Sequence, residues 1–287
     1  MEERVKEILG AEGKDQFLST ASSEDSASQV YLSTYIDFMR QTGRNHFLIR
    51  EPQFMLKRLE ILGCALKILP VNERGQVTPA ILEEMIKPRA ALVSLPWADA
   101  RTGVIHPIAA LAELCREKQV RFHVDASEVI GKLFFRFQDL TVDFLSFDGG
   151  LLIKAETEFV GQSHPNGQLL DALERDLSRF DHFCTETVRL RDRLERGIKE
   201  GYPEAKVLFE DAERLPHVSA IEFPGAGCEP LLYHLHRQGF AFKEAGPDAV
   251  SFRLTEATTQ EEIDRLIDAA VSAAQQLRAL SDDLERV

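Results

Sequence analysis

The chain has 287 residues, of which 44% are hydrophobic, and it carries a formal net charge of -13 at pH 7. This length supplies a sizeable core for one large domain or two smaller ones, and the acidic balance excludes a surface built to hold nucleic acid phosphates. The charged start MEERVKEILG lacks a signal core, and no apolar run approaches the roughly 18 residues of a membrane span, so a cytoplasmic protein without membrane contact is expected.

Short apolar runs alternate with helical patterns along the first half of the chain. Strands are predicted at residues 16–20, 45–49, 65–70, 90–95, 121–124 and 143–147. Helices are predicted at residues 29–41, 53–62, 78–86 and 108–118, with prolines at several joints. This alternation is typical of βα units, so we expect an α/β fold with a mostly parallel sheet flanked by helices.

The second half of the chain has a different pattern. Regularly spaced leucines predict a long charged helix or helix pair at 168–199. After it come a predicted strand, a helix, a strand pair and a last helix that a capping box begins, at 218–223, 229–238, 240–243 with 249–254, and from Thr259. The predicted organisation is a large domain at 1–167, a connecting helix at 168–200 and a small α/β domain at 201–287.

The cysteines give no sign of a metal or redox site. They lie far apart without a CxxC pair, and they are expected to be free thiols: Cys64, Cys115, Cys184 and Cys228. HExxH, Walker and GxGxxG patterns are also absent, so no metal site is predicted.

The most informative stretch, at 122–154, reads FHVDASEVIGKLFFRFQDLTVDFLSFDGGLLIK. Asp125 ends a buried strand, which in an open α/β sheet places it at the crevice where ligands bind. This stretch resembles the class V aminotransferase and cysteine desulfurase (NifS-like) family of fold-type I pyridoxal-phosphate enzymes, whose corresponding segments read HVDAAQ and VDLLSLSGHK. The closing lysine of that family holds the cofactor as a Schiff base, and here its position is Leu151.

Further segments extend the resemblance over most of the chain. FLSTASSEDS at 17–26 resembles the family's FTSGATESNN, and VSLPWADARTGVIHPI at 93–108 resembles VSxxHxxNExGTIQPI. Near the end, SFRLTEATTQEEIDRLI at 251–267 resembles RFSLGRFTTEEEIDYAI. The resemblance begins inside the helix that ends in ILGAE, so a truncated member without the family's N-terminal arm is expected. It also implies a homodimer, or a heterodimer with a related desulfurase.

The resemblance implies vestigial contacts to pyridoxal phosphate. Asp125 would pair with the pyridine nitrogen, and Ser22 and Ser23 would bind the phosphate at a helix N-terminus. His123 and Glu128 would lie beside the ring. From the residues alone, Asp125 is as well explained as a cap for the next helix, Ser22 as an N-cap, and His123 as a packed core residue.

Most family positions that carry catalysis are changed. Leu151 cannot form an imine. Glu256 takes the place of the arginine that clamps the substrate carboxylate, while Ala100, Glu128 and Gly150 replace an asparagine, a glutamine and a histidine. REPQFML at 50–56 lacks the ring-stacking histidine, and the loop of the desulfurase cysteine is reduced to KEAGPDA at 243–249. We therefore expect no catalytic residue, no cofactor and a non-catalytic paralogue with a binding or regulatory role.

Two alternatives remain open on the sequence. Lys154 lies three residues after Leu151 and is a candidate substitute for the Schiff-base lysine. With it, or with an atypical cofactor mode, the chain would be an active lyase or transferase acting on an amino acid. A different small-ligand site around Asp99, Asp125 and Asp148 is the second alternative.

Overall fold

The computed structural model describes residues 1–50, 56–164 and 166–285. These residues form two compact units. Unit 1 comprises Met1–Ala98 and His106–Arg179, and unit 2 comprises Asp99–Ile105 and Phe180–Val287. The segment 99–105 therefore belongs to the C-terminal unit, although it lies within the predicted large domain.

Unit 1 is built on a seven-stranded sheet with the order β1-β7-β6-β5-β4-β2-β3. Its strands are β1 (Gln16–Ser19), β2 (His46–Ile49), β3 (Ala65–Ile68), β4 (Ala90–Pro96), β5 (Arg121–Asp125), β6 (Phe144–Phe147) and β7 (Gly150–Ile153). The pairs from β3 through β2, β4 and β5 to β6 are parallel, whereas β7 is antiparallel to both β6 and β1. The predicted α/β class with a mostly parallel sheet is confirmed.

The helices of unit 1 are α1 (Glu2–Ile8), α2 (Ser23–Gln41), α3 (Leu56–Ile61), α4 (Pro79–Met85), α5 (Ile108–Glu117) and α6 (Leu169–Ser178). Helix α4 begins where Thr78 accepts a hydrogen bond from the Ile81 N–H, with a proline in the first turn. The helix predicted at 53–62 is described from Leu56 onward. Most of REPQFML, the segment expected to lack the ring-stacking histidine, lies outside the described residues.

Unit 2 has a four-stranded antiparallel sheet with the order β10-β11-β9-β8. It comprises α7 (Phe180–Gly201), β8 (Lys206–Val207), β9 (Val218–Glu222), α8 (Cys228–Arg237), β10 (Lys243–Gly246), β11 (Ala249–Arg253) and α9 (Gln260–Glu285). The predicted connecting helix at 168–200 is a helix pair, α6 and α7, with one helix in each unit. The chain leaves helical geometry at Arg179, where φ is -108° and ψ is 1°.

Three strand assignments differ from the sequence patterns, and the two-residue strand β8 is one that was not predicted. Strand β10 begins at Lys243 instead of covering 240–243, because Phe240 and Phe242 pack against the core of unit 2. Strand β7 was not predicted, because its four residues, GLLI, are all buried and show no alternation. Only Asp148 and Gly149 connect β6 to β7, with Gly149 at φ +89°, so the two strands form a tight hairpin.

Candidate functional site

Asp125 lies at the carboxyl end of the sheet, where it pairs with Pro96 of β4 and Ser146 of β6. Its side chain is half-buried, and its Oδ1 accepts hydrogen bonds from the N–H and the hydroxyl of Ser127, at 2.9 and 2.6 Å. Burial raises the pKa of Asp125; the Ser127 bonds lower it, and the nearby carboxylates of Asp148 and Glu128 raise it further. The structure therefore holds a carboxyl group with a raised pKa at the edge where ligands bind in such sheets.

Ser22 and Ser23 lie at the start of α2. The Ser22 hydroxyl caps this helix by accepting a hydrogen bond from the Asp25 N–H at 3.2 Å. Asp25 in turn accepts a bond from the Ala21 N–H at 3.1 Å, and the hydroxyls of Thr20 and Ser26 lie 2.8 Å apart just beneath. The helix N-terminus is thus well ordered, and both serines are half-buried there.

His123 lies inside unit 1 and not in the crevice. Its Nδ1 lies 2.8 Å from the Ser94 hydroxyl and its Nε2 lies 2.9 Å from the Ser146 hydroxyl. The Tyr31 hydroxyl of α2 extends this chain with a 2.9 Å bond to Ser94. His123 is only 1% exposed, and burial lowers its pKa to about 3. Its environment supports packing and hydrogen bonding within the sheet.

This buried histidine predicts a loss of stability in acid. The unfolded chain binds a proton at His123 near pH 6.5, whereas the folded chain does so only near pH 3. The contribution of neutral His123 to the free energy of unfolding is therefore complete above pH 6.5. It falls by about 1.4 kcal/mol per pH unit as the pH decreases towards 3. We expect His123→Gln, which keeps hydrogen-bonding groups but does not titrate, to lose less stability between pH 7 and 4.5 than the unchanged protein. Urea unfolding at the two pH values measures this, and equal losses would contradict it.

Leu151 lies in the middle of β7, paired with Leu18 on one side and Ser146 on the other. It is fully buried and belongs to the core cluster beneath α2 that includes Tyr31. A Cβ atom on the preceding Gly150 would clash with the rings of Phe147 and Phe17, so a histidine side chain does not fit there. Leu151, the residue expected at the position of the family's lysine, is therefore part of a core strand.

Lys154 lies at the opposite end of the sheet from Asp125. Its backbone N–H donates to the carbonyl of Asp143, which precedes β6. Its Nζ donates to the carbonyls of Phe137 and Gln138, at 2.9 and 3.4 Å, and lies 4.4 Å from the centre of the Phe137 ring. At about 3.3 Å per residue, the length of β6 separates the two ends by roughly 13 Å. Lys154 is not placed to substitute for the Schiff-base lysine beside Asp125.

Three of the sequence-predicted positions belong to unit 2. Asp99 uses its Oδ1 within its own turn, accepting bonds from the Arg101 N–H and from the N–H and hydroxyl of Thr102, at 3.0, 2.9 and 3.0 Å. Ala100 and Glu256 are exposed. In the part of the chain that the structure describes, no three His, Cys, Asp or Glu side chains are grouped as metal ligands.

Cys228 is a residue near the shortened loop that the sequence did not single out as a site. The segment KEAGPDA forms the β10–β11 hairpin, and the Cys228 Sγ lies 3.2 Å from the Ala249 carbonyl oxygen. Burial, with Glu244 and Asp248 nearby, raises the pKa of this thiol to about 11. Cys228 is therefore protonated near neutral pH and is not an activated nucleophile.

The sheet order and the strand-end carboxylate define a fold of the pyridoxal-phosphate transferase type. Residues 1–150 match the family model described as "Aminotransferase class-V". The chain belongs to this aminotransferase class V family. The predicted family membership is confirmed.

Relatives are similar to this chain in sequence, and solved structures share its fold. A cysteine desulfurase of Cereibacter sphaeroides is 28% identical, over 96% of this chain and 84% of its own length. The cysteine desulfurase NifS of Azotobacter vinelandii is 27% identical, over 96% and 82%. The fold matches a solved NifS-like protein with a TM-score of 0.83 at 20% identity, over 96% and 86% of the two chains. It also matches the NifS-like protein of Rickettsia africae ESF-5, with a TM-score of 0.81 at 16% identity, over 95% and 86%.

The expectation that no cofactor is used is wrong at the level of the family. The relatives are cysteine desulfurases, which depend on pyridoxal phosphate, so the family points to this cofactor. The described residues fit part of such a site. The carboxyl group of Asp125 suits a pyridine nitrogen. The start of α2 offers backbone N–H groups to a phosphate, with the carboxylates of Glu24 and Asp25 as opposing charges, and Leu151 offers no covalent attachment. Among the described residues, no helix is long and apolar enough to cross a membrane.

Proposed function

We propose that this chain is a NifS-related protein that has lost cysteine desulfuration and holds pyridoxal phosphate without a covalent bond, acting by binding. The main support for this proposal is the burial of Leu151. The resemblance places this residue at the position of the family's lysine, and it is fully buried in β7. A leucine side chain has no amine and cannot form an imine. Because β7 is part of the core, its side chain at position 151 is also closed to solvent. The connection between β6 and β7 that precedes Leu151 is also short, since it consists of Asp148 and Gly149 alone.

The proposed contacts are the retained ones. Asp125 would hold the pyridine nitrogen, because its half-buried carboxyl group lies at the carboxyl end of β5. Ser22 and Ser23 would hold the phosphate at the N-terminus of α2, where backbone N–H groups favour an anion. Glu128 would lie on the ring side of Asp125. When bound, the cofactor supplies an electron-withdrawing ring; the chain supplies orientation and hydrogen bonds.

The nucleophile of desulfuration is also missing from its expected place. The β10–β11 hairpin has no cysteine of its own, and the thiol of Cys228 is buried against it with a raised pKa. A protonated, buried thiol does not accept sulfur from a substrate efficiently. We therefore propose a role in binding a partner, as a homodimer or in a heterodimer with a related desulfurase. Light scattering would measure the mass of this dimer.

Substituting Asp125 tests the proposed ligand site. We expect Asp125→Asn to weaken pyridoxal phosphate binding about tenfold, because an amide cannot form the ion pair with a protonated ring nitrogen. Equilibrium dialysis measures the affinity. Asp148→Asn is the matched control, since it removes an exposed carboxylate that influences Asp125, and it should change the affinity less.

The same preparation tests the loss of catalysis. We expect no sulfide release from L-cysteine above that of free pyridoxal phosphate, whether or not the protein is loaded. Repeated turnover of cysteine by the unchanged chain would contradict the proposed function, as would equal affinities of the Asp125→Asn variant and the unchanged chain.

A further inference from the structure

Three loops at the amino end of the unit 1 sheet each contribute a cation. Arg44 precedes β2, Lys87 precedes β4 and Lys118 precedes β5. These three strands are neighbours in the sheet, so the loops converge. Together the three cations line a cavity of about 250 Å³, with apolar atoms from Ile86 and Pro88, and no acidic residue lines it.

Backbone and side-chain bonds hold these loops together. The N–H groups of Asn45 and His46 both donate to the Arg89 carbonyl, at 3.1 and 2.9 Å. The Arg44 guanidinium donates to the Gln119 carbonyl at 2.6 Å, which joins the first loop to the third. The backbones of the three loops are therefore held together before any ligand arrives, and the Arg44 guanidinium is held in place by the third loop.

The cavity has an excess of positive charge. Lys118 pairs with Glu83 at 2.8 Å, and both side chains are exposed. Arg44 and Lys87 have no carboxylate partner within residues 1–50, 56–164 and 166–285. This excess is unexpected on a chain whose net charge is -13.

His46 lies beside these loops at the start of β2. Its Nδ1 is buried without a hydrogen-bond partner. Burial lowers the pKa of His46, and the positive charges of Lys67 and Arg89 lower it further. Two more cations therefore lie near this end of the sheet, in addition to the three that line the cavity.

We propose that this cavity binds the oxyanion group of a small molecule, a phosphate or a carboxylate. A guanidinium and two ammonium groups provide several N–H donors with positive charge, which is the arrangement that such groups prefer. The volume suits one small anion rather than a large ligand. The cavity lies at the end of the sheet opposite Asp125, so it is independent of the proposed cofactor site.

The test is thermal unfolding of the full chain in sodium phosphate and in sodium malonate, each compared with sodium chloride at the same ionic strength. We expect at least one oxyanion to raise the unfolding midpoint in a saturable way. A stronger effect of phosphate identifies a phosphate group as the ligand, and a stronger effect of malonate identifies a carboxylate.

Two variants assign the effect to the cavity. Lys87→Glu is expected to weaken the apparent affinity about tenfold, and Arg44→Gln to weaken it in the same direction. Lys206→Glu changes the net charge equally at an exposed position in unit 2 and should leave the affinity unchanged. Midpoints that follow ionic strength alone, or equal losses in the Lys87→Glu and Lys206→Glu variants, would overturn the proposed site.

Discussion

Placing a lysine at position 151 is expected to destabilise the protein by about 3 to 5 kcal/mol and to confer no chemistry. Leu151 is fully buried between β6 and β1 and packs in the core beneath α2. An ammonium group there would lose its hydration without a charged partner and would also disturb the apolar packing. Urea unfolding of the Leu151→Lys variant measures the loss.

A second lysine variant separates burial from charge. Asp148 is exposed on the turn that precedes β7, so Asp148→Lys should cost less than about 1 kcal/mol. It also places an amine near Asp125, where the unchanged chain has a carboxylate. If the Leu151→Lys variant proved as stable as the Asp148→Lys variant, the core position of β7 would be refuted.

Removing Arg214 is expected to destabilise unit 2 by about 3 to 5 kcal/mol. Its guanidinium donates to both oxygens of Glu195, at 2.8 and 3.3 Å, and both side chains are almost entirely buried. The Ser219 hydroxyl donates to the same carboxylate at 2.7 Å. An Arg214→Ala substitution would leave the Glu195 charge buried, with Arg191 3.9 Å away as its remaining cation.

A double substitution provides the control for this pair. Replacing both Arg214 and Glu195 with methionine removes the two charges together, so most of the lost stability should return. Chemical denaturation of the single and double variants gives the interaction free energy. A cost below about 1 kcal/mol for Arg214→Ala would show that the pair is solvated rather than buried.

The order of strands and helices in unit 1 could be predicted, because buried parallel strands are continuous apolar runs separated by helical patterns. Strand β7 could not, since GLLI carries no periodicity and its place in the sheet depends on pairing with β1, far away in sequence. The consequence for function is direct. The sequence places at position 151 a leucine, which has no amine, and in the structure this position is closed to solvent.

The candidate site was only partly predictable, because part of it depends on pairing between segments that are far apart in the sequence. Asp125 followed from its place at the end of a strand, because the carboxyl ends of parallel strands share one edge. The positions of Lys154 at the opposite end and of Cys228 beside the shortened hairpin depend on contacts between distant segments. The convergence of Arg44, Lys87 and Lys118 likewise requires the order of strands, which adjacent sequence does not contain.

Without a lysine at position 151, this chain is proposed to hold pyridoxal phosphate without a covalent bond. The most direct test of this proposal is the intact mass of the protein after incubation with pyridoxal phosphate and reduction with borohydride. We predict an unchanged mass in a sample that retains the ligand during dialysis against buffer before reduction. A stoichiometric mass increase that maps to one lysine, Lys154 or another, and disappears when that lysine is replaced by alanine would show that the cofactor is bound covalently and would contradict the proposed function.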